Sequence, residues 1–164
     1  MLDTNIYINF YDRYYRFNYF PSFWNTFANT LNNHVIIPNI VMQETYQSKE
    51  FIDWINVNYK QTLLNHKKYA EQWGEVIEHI ANHDCYSDLA LTDTKSWTHE
   101  HIADGWIIAI AKQNNFTIVT SETKNPNLNS NQPTKSPKIP DIAQDFGVPC
   151  INMNEFFQEI NLMI

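Results

Sequence analysis

Glycine is nearly missing: Gly74, Gly105 and Gly147 are the three in 164 residues. None belongs to a Gly-rich phosphate loop or to a Gly-x-Ser-x-Gly elbow, which sets aside dinucleotide and nucleoside-triphosphate enzymes and serine hydrolases of that type. Cysteine is as scarce. Cys85 and Cys150 have no Cys-x-x-Cys spacing and lie in apolar or mixed surroundings, so they read as reduced thiols of a cytoplasmic protein. No run approaches the ~18–20 apolar residues of a membrane span, so a soluble chain without a membrane partner is expected. A signal peptide is not expected either, because Asp3 falls where positive charge belongs and no small-residue cleavage site follows an apolar run. Positive charge is in deficit, with Lys and Arg totalling 11 against 18 for Asp and Glu, a net charge of −7. That speaks against broad nonspecific binding to nucleic acid. It leaves room for a nuclease that gathers carboxylates around cations, because bound ions invert the local field.

What is present is apolar and aromatic matter in quantity, 43% and 15% of the chain, enough for one folded domain spanning residues 1–164. Leu2 reads as the end of a buried strand, with Asp3-Thr4-Asn5 just beyond it. Residues 7–20 interleave Tyr11, Tyr14, Tyr15, Phe17 and Tyr19 with Asp12, Arg13 and Arg16. The plainer expectation is rings folded onto the core. The functional one is a Tyr and Arg surface for stacking on single-stranded RNA and pairing with phosphates.

Phe20-Pro21-Ser22 predicts a helix entry capped by Ser22, with Phe23, Trp24, Phe27 and Leu31 at helical spacing. Val35-Ile36-Ile37 reads as a buried parallel strand, closed by Pro38. Asn39 is expected to cap a helix from Ile40 to about Gln47, which carries Glu44. Residues 49–81 look helical, with stripes at Phe51, Ile52, Trp54, Ile55 and at Trp73, Val76, Ile77, Ile80. Residues 83–100 read as a long polar connection. A helix over 102–112 follows, with Ile107, Ile110 and Ala111 on its apolar face and Asp104 in its first turn, where the macrodipole favours negative charge. Asn114-Asn115 breaks it.

Phe116-Thr117-Ile118-Val119 predicts a further strand ending in Thr120-Ser121-Glu122. Residues 124–138 are rich in Asn, Pro, Ser and Lys and read as a mobile loop. Ile139-Pro140-Asp141 opens a short helix ended by Gly147. Val148-Pro149-Cys150-Ile151 is a last strand, and Asn154 is expected to cap a terminal helix holding Phe156, Phe157 and Ile160 inward. Strands alternating with helices predict an α/β fold with a parallel sheet and helices on both faces.

Asp3, Glu44 and Glu122 fall just beyond predicted strands, the side where α/β proteins bind ligands, with Asp104 at a helix start and Asp141 across the mobile loop. Acids converging at one point raise each other's pKa unless cations intervene. Hard cations with oxygen ligands, Mg²⁺ or Mn²⁺, suit such a set better than Zn²⁺. Such a site can activate water against a phosphodiester. Lys124, Lys135 and Lys138 on the loop are candidates for RNA phosphates, as are Arg13 and Arg16. A transition-metal site at His99-Glu100-His101 beside Asp104 is a minor alternative, and a non-catalytic binding module is the main one.

Asp3-Thr4-Asn5, Val41-x-x-Glu44, Asp104-x-x-Ile107-x-Ala109-x-Ala111 and Ile118-Val119-Thr120-Ser121-Glu122, in that order, resemble PIN domains. Phe20-Pro21-Ser22-Phe23-Trp24 and Ile139-Pro140-Asp141 resemble an uncharacterised bacterial branch of that family. The resemblance implies a three-layer α/β/α sandwich, acids around Mg²⁺ or Mn²⁺, and an endoribonuclease of the kind found as toxins in toxin–antitoxin pairs. It implies an RNA substrate and an antitoxin protein as partners, and it admits a homodimer. Asp3, Glu44 and Asp104 match the metal-binding acids, and Asn5 and Thr120 match supporting polar residues. The departure is Glu122, where the family has Thr-x-Asp, which leaves Glu122 and Asp141 as candidates for the last ligand.

Overall fold

The computed structural model describes residues 1–45 and 48–163. Its regular elements are mostly helices arranged around a very short parallel ladder. Helix α1 (Thr4–Ile8) runs straight into a π-helical turn, Asn9–Tyr14, and is followed by α2 (Pro21–His34), α3 (Asn39–Glu44) and α4 (Lys49–Asn58). A 3₁₀ turn, His66–Tyr69, leads into α5 (Ala70–Asn82), then come α6 (Leu89–Thr92) and α7 (Ala103–Asn114). Strand β1 (Ile118–Val119), α8 (Ile139–Asp145), β2 (Cys150–Ile151) and α9 (Met153–Glu159) complete the order.

The ladder is built on Val119. It pairs with Ile151 on one side, in parallel, and bridges Leu2 on the other. The amide of Asp3 donates to the Val119 carbonyl at 2.9 Å and that of Thr120 to the Ile151 carbonyl at 3.0 Å. Asp3 and Thr120 therefore leave the ladder at the same end. The fold is mixed α/β, and the paired strands are two residues long.

The predicted strand at Val35-Ile36-Ile37 is not part of this ladder. Val35 is extended, but the pairing is a single bridge between Pro38 and Leu64. Proline has no N–H to continue a ladder, and the neighbouring segment that pairs is a loop. The helix expected over 49–81 is two helices parted by residues 59–65 and the 3₁₀ turn. Capping also differs. Ser22 lies within α2, which starts at Pro21, and Asn39 is the first residue of α3, its Oδ1 turned to His66. Asn152 rather than Asn154 caps α9, in a reciprocal capping box with Glu155. The end expected for α3 at Gln47 lies outside the described residues.

Helix α7 is the central element. Gly105 through Ala111 are all buried, so α7 is apolar around its whole circumference and not along one stripe. Asn115 ends it in the left-handed region at φ 55°, which asparagine tolerates. Helix α5 packs on it through Trp73, stacked on Trp106 at 4.7 Å. On the other flank the aromatic opening segment is core. Tyr7 and Phe10 are fully buried, and Phe10 meets Phe23, Phe27 and Phe157 at ring separations of 5.2, 4.9 and 5.7 Å. Tyr14 and Tyr19 remain outside. Among the described residues no helix is long and apolar enough to cross a membrane.

Candidate metal centre

Asp3 follows the ladder directly and N-caps α1 by position, with its side chain turned elsewhere. Its Oδ2 accepts from the Thr120 hydroxyl at 2.7 Å and from the Asn5 amide. Asn5 also donates to Thr120 at 3.2 Å and accepts from the Ser121 N–H at 3.0 Å, so the two strand ends are laced together beneath the carboxylate. Asn9 adds a bond to the Ser121 hydroxyl at 2.8 Å.

Glu44 ends α3 and reaches across to two other segments. Its Oε2 accepts from the Thr4 hydroxyl at 2.5 Å and its Oε1 from the Ala103 N–H at 2.8 Å. The second contact places a carboxylate on the positive N-terminus of the twelve-residue α7. Asp104, next along, stands in that same first turn.

The acids act on one another. Asp3 is almost wholly buried, and burial is the main cause that pushes its carboxyl up to about 7. Glu122 and Glu44 push the same way, against the Thr120 and Thr4 hydrogen bonds. Asp104 is raised well above the usual carboxylate range, by burial first, then by Asp3, Glu122 and Glu44, with a Trp97 hydrogen bond opposing. Among the described residues the cationic partner in this set is Lys138, whose Nζ lies 3.0 Å from Glu122 Oε1. Glu122 Oε2 accepts from the Ile139 N–H at 2.9 Å, at the start of α8. Asp104 and Glu122 open on a cleft of about 520 Å³ that Trp97, Lys95, Lys135 and Lys138 also line.

The structure thus brings Asp3, Glu44, Asp104 and Glu122 together, with Asn5 and Thr120 in support. It does not bring Asp141 in. That carboxylate accepts from the Asn125 N–H at 3.0 Å and contributes to neither Asp3 nor Asp104. Lys124 is turned to Gln144, and Arg16 to the Asp12 carbonyl at 2.8 Å. Arg13 is exposed. Lys135 pairs with Asp93 at 2.8 Å. Near His101, the His99 ring meets the Asp93 carbonyl at 3.1 Å, and this pair forms no metal-ligating group among the described residues. The Thr4 hydroxyl serves Glu44, and sequence reasoning missed this contact, Trp97 and the Ala103 amide.

The donor set fits a hard cation. It is all oxygen, it is short of positive charge, and two of its members have raised carboxyls, whose ionised form a bound cation would favour. The acids are also spread more widely than a closed shell, since among the described residues no three of these carboxylates have ligand atoms all within 4.8 Å of one another. Mg²⁺ keeps several of its waters and binds through one or two carboxylates, so a wide set suits it.

The fold and site together define an α/β protein with an acidic cleft at the end of a parallel ladder. The chain belongs to the family described as a domain of unknown function, DUF4411, whose family model matches residues 1–164. No curated protein and no solved structure matches it.

Proposed function

We propose that this protein is an endoribonuclease dependent on Mg²⁺ or Mn²⁺, with a PIN-like three-layer α/β/α architecture, acting in the cytoplasm as the toxin of a toxin–antitoxin pair. The observation that supports it is the placing of four acids about the end of the ladder: Asp3 held by Thr120 and Asn5, Glu44 on the first amide of α7, and Asp104 and Glu122 on the cleft. Carboxylates so placed cost stability unless a proton or a cation neutralises them, and such groups cluster at functional sites. A bound divalent cation supplies Lewis-acid polarisation of a phosphoryl oxygen and a bound water acidic enough to act near neutrality. Asp3 and Asp104 would hold it, with Glu44 beside them. Asn5 and Thr120 fix the Asp3 carboxylate, which keeps the ligand oxygen within a narrow range of positions. Lys95, Lys135 and Lys138 line the cleft, where an RNA phosphate would compete with Asp93 for Lys135 and with Glu122 for Lys138.

The test is cleavage of a mixed RNA pool with Mn²⁺. Asp3→Asn and Asp104→Asn should each abolish cleavage while circular dichroism stays native. Undiminished cleavage by either variant overturns the assignment.

A second reading is a catalytically degenerate PIN-like module that binds protein or RNA. It is favoured by Glu122, whose two oxygens are already committed to Lys138 and to the start of α8. Calorimetry separates the readings, because a chain that binds no Mn²⁺ belongs to the second.

A further inference from the structure

Outside the acidic cleft, α5 and α8 bring together a second set of ligating side chains. His79 lies in the last turn of α5 and His83 is its C-cap residue, in extended backbone. Asp145 is the last residue of α8. His79 Nε2 lies 2.9 Å from Asp145 Oδ2, and His83 Nε2 lies 3.7 Å from the same oxygen. One ligand atom from each residue falls within 4.8 Å of the other two.

We propose that His79, His83 and Asp145 form a transition-metal site of the Zn²⁺ class, which ties α5 to α8. In a tetrahedral zinc site with bonds of about 2.0–2.1 Å, ligand atoms stand roughly 3.3 Å apart. The two separations to Asp145 Oδ2, 2.9 and 3.7 Å, bracket that value, and the two imidazoles stand within 4.8 Å of each other. A plain His–Asp hydrogen bond needs one imidazole. The second ring, at 3.7 Å, faces the same oxygen from beyond hydrogen-bond distance. Both rings are backed by aromatics that hold their planes, Phe146 against His79 at 5.2 Å and Tyr86 against His83 at 5.1 Å. Two imidazoles and one carboxylate prefer Zn²⁺ and its neighbours to Mg²⁺ or Mn²⁺, and they leave a fourth position for water. The half-exposed position of all three side chains gives an ion a way in.

Binding has one local cost that also marks it. His83 Nδ1 accepts from the Cys85 N–H at 3.2 Å, which places the ring proton on Nε2. A metal on Nε2 moves that proton to Nδ1, and the Cys85 amide must then let go. The site shares α8 with the acidic cleft, since Ile139 at the other end of the helix donates to Glu122. Its ligands are nonetheless separate from the four acids.

The experiment is calorimetric titration of the full, chelator-stripped chain with Zn²⁺. The wild type, His79→Gln, His83→Gln and Asp145→Asn are compared with an Asp3→Asn/Asp104→Asn double variant. One equivalent of Zn²⁺ should bind to the wild type and to the double variant. Affinity should fall by more than about 100-fold in either His variant, beyond what loss of a supporting contact causes. The Cys85 amide resonance should shift with Zn²⁺ in the wild type and stay fixed in His83→Gln. Should a His variant fail to fold, Asp145→Asn, altered at an exposed position, gives the same readout. Zn²⁺ binding that survives both His variants overturns the proposal. So does binding abolished in the double variant, or absent from every form.

Discussion

Asp3 is a carboxylic acid that the fold takes almost wholly out of water. Its carboxyl titrates near 7 in the fold, against an ordinary 3.8. Between those values the folded state keeps a proton that the unfolded chain has released, so the metal-free protein loses stability as pH rises through that window. Below about 4 both states are protonated and the effect is flat, and above about 7 the loss is complete. A divalent cation selects the ionised form, so its stabilising effect should grow with pH over the same interval. Thermal unfolding from pH 4 to 8, with and without Mn²⁺, checks both slopes. A metal-free melting temperature that rises over this range would contradict the burial and coupling described for Asp3.

Among the elements, α7 decides most. Gly105 lies one residue past Asp104, and a Cβ there would stand 3.1 and 3.2 Å from Trp73 ring atoms and 3.7 Å from Trp97. Trp73 is stacked on Trp106 and has little room to retreat. Gly105→Ala should gain up to about 1 kcal/mol of helix propensity and lose more to overpacking, for a net destabilisation of about 1 kcal/mol. Urea unfolding measures it, and a more stable variant would mean that the tryptophan stack yields.

The ends of α7 and α8 were legible in the sequence because their signals are local: Asn114-Asn115, Ile139-Pro140 and Gly147 act through their own backbones. Pairing was less so. Val35-Ile36-Ile37 has the composition of a strand, but its partner, Leu64, sits in a segment whose own pattern suggested helix. Asp3 and Thr120 were legible as strand ends. The role of Glu44 was not, since the amide it accepts from lies at Ala103, 59 positions away. The His79-x-x-x-His83 spacing was visible, but the oxygen that gives it meaning is on Asp145, 66 residues beyond His79.

At the scale of the whole molecule, the aromatic opening joins the two ends of the chain. Phe10 touches α2 through Phe23 and Phe27, and α9 through Phe157. Phe10→Ala should cost about 3–5 kcal/mol, the range for removing a buried ring. That is a large part of the ~5–15 kcal/mol that holds a typical domain together. Chemical denaturation followed by tryptophan fluorescence and by circular dichroism should show both signals shift together. A change confined to one probe would mean that α9 opens on its own.

Glu44 has a consequence for motion. One carboxylate joins the first helix, the end of α3 and the first amide of α7. A helix end ordinarily frays, and its amides trade protons with solvent in brief local openings. At Ala103 the acceptor belongs to another part of the chain and the residue is fully buried. Exchange at that amide should then wait for α7 to part from α3, and hydrogen exchange should find it slower than an ordinary helix-end amide.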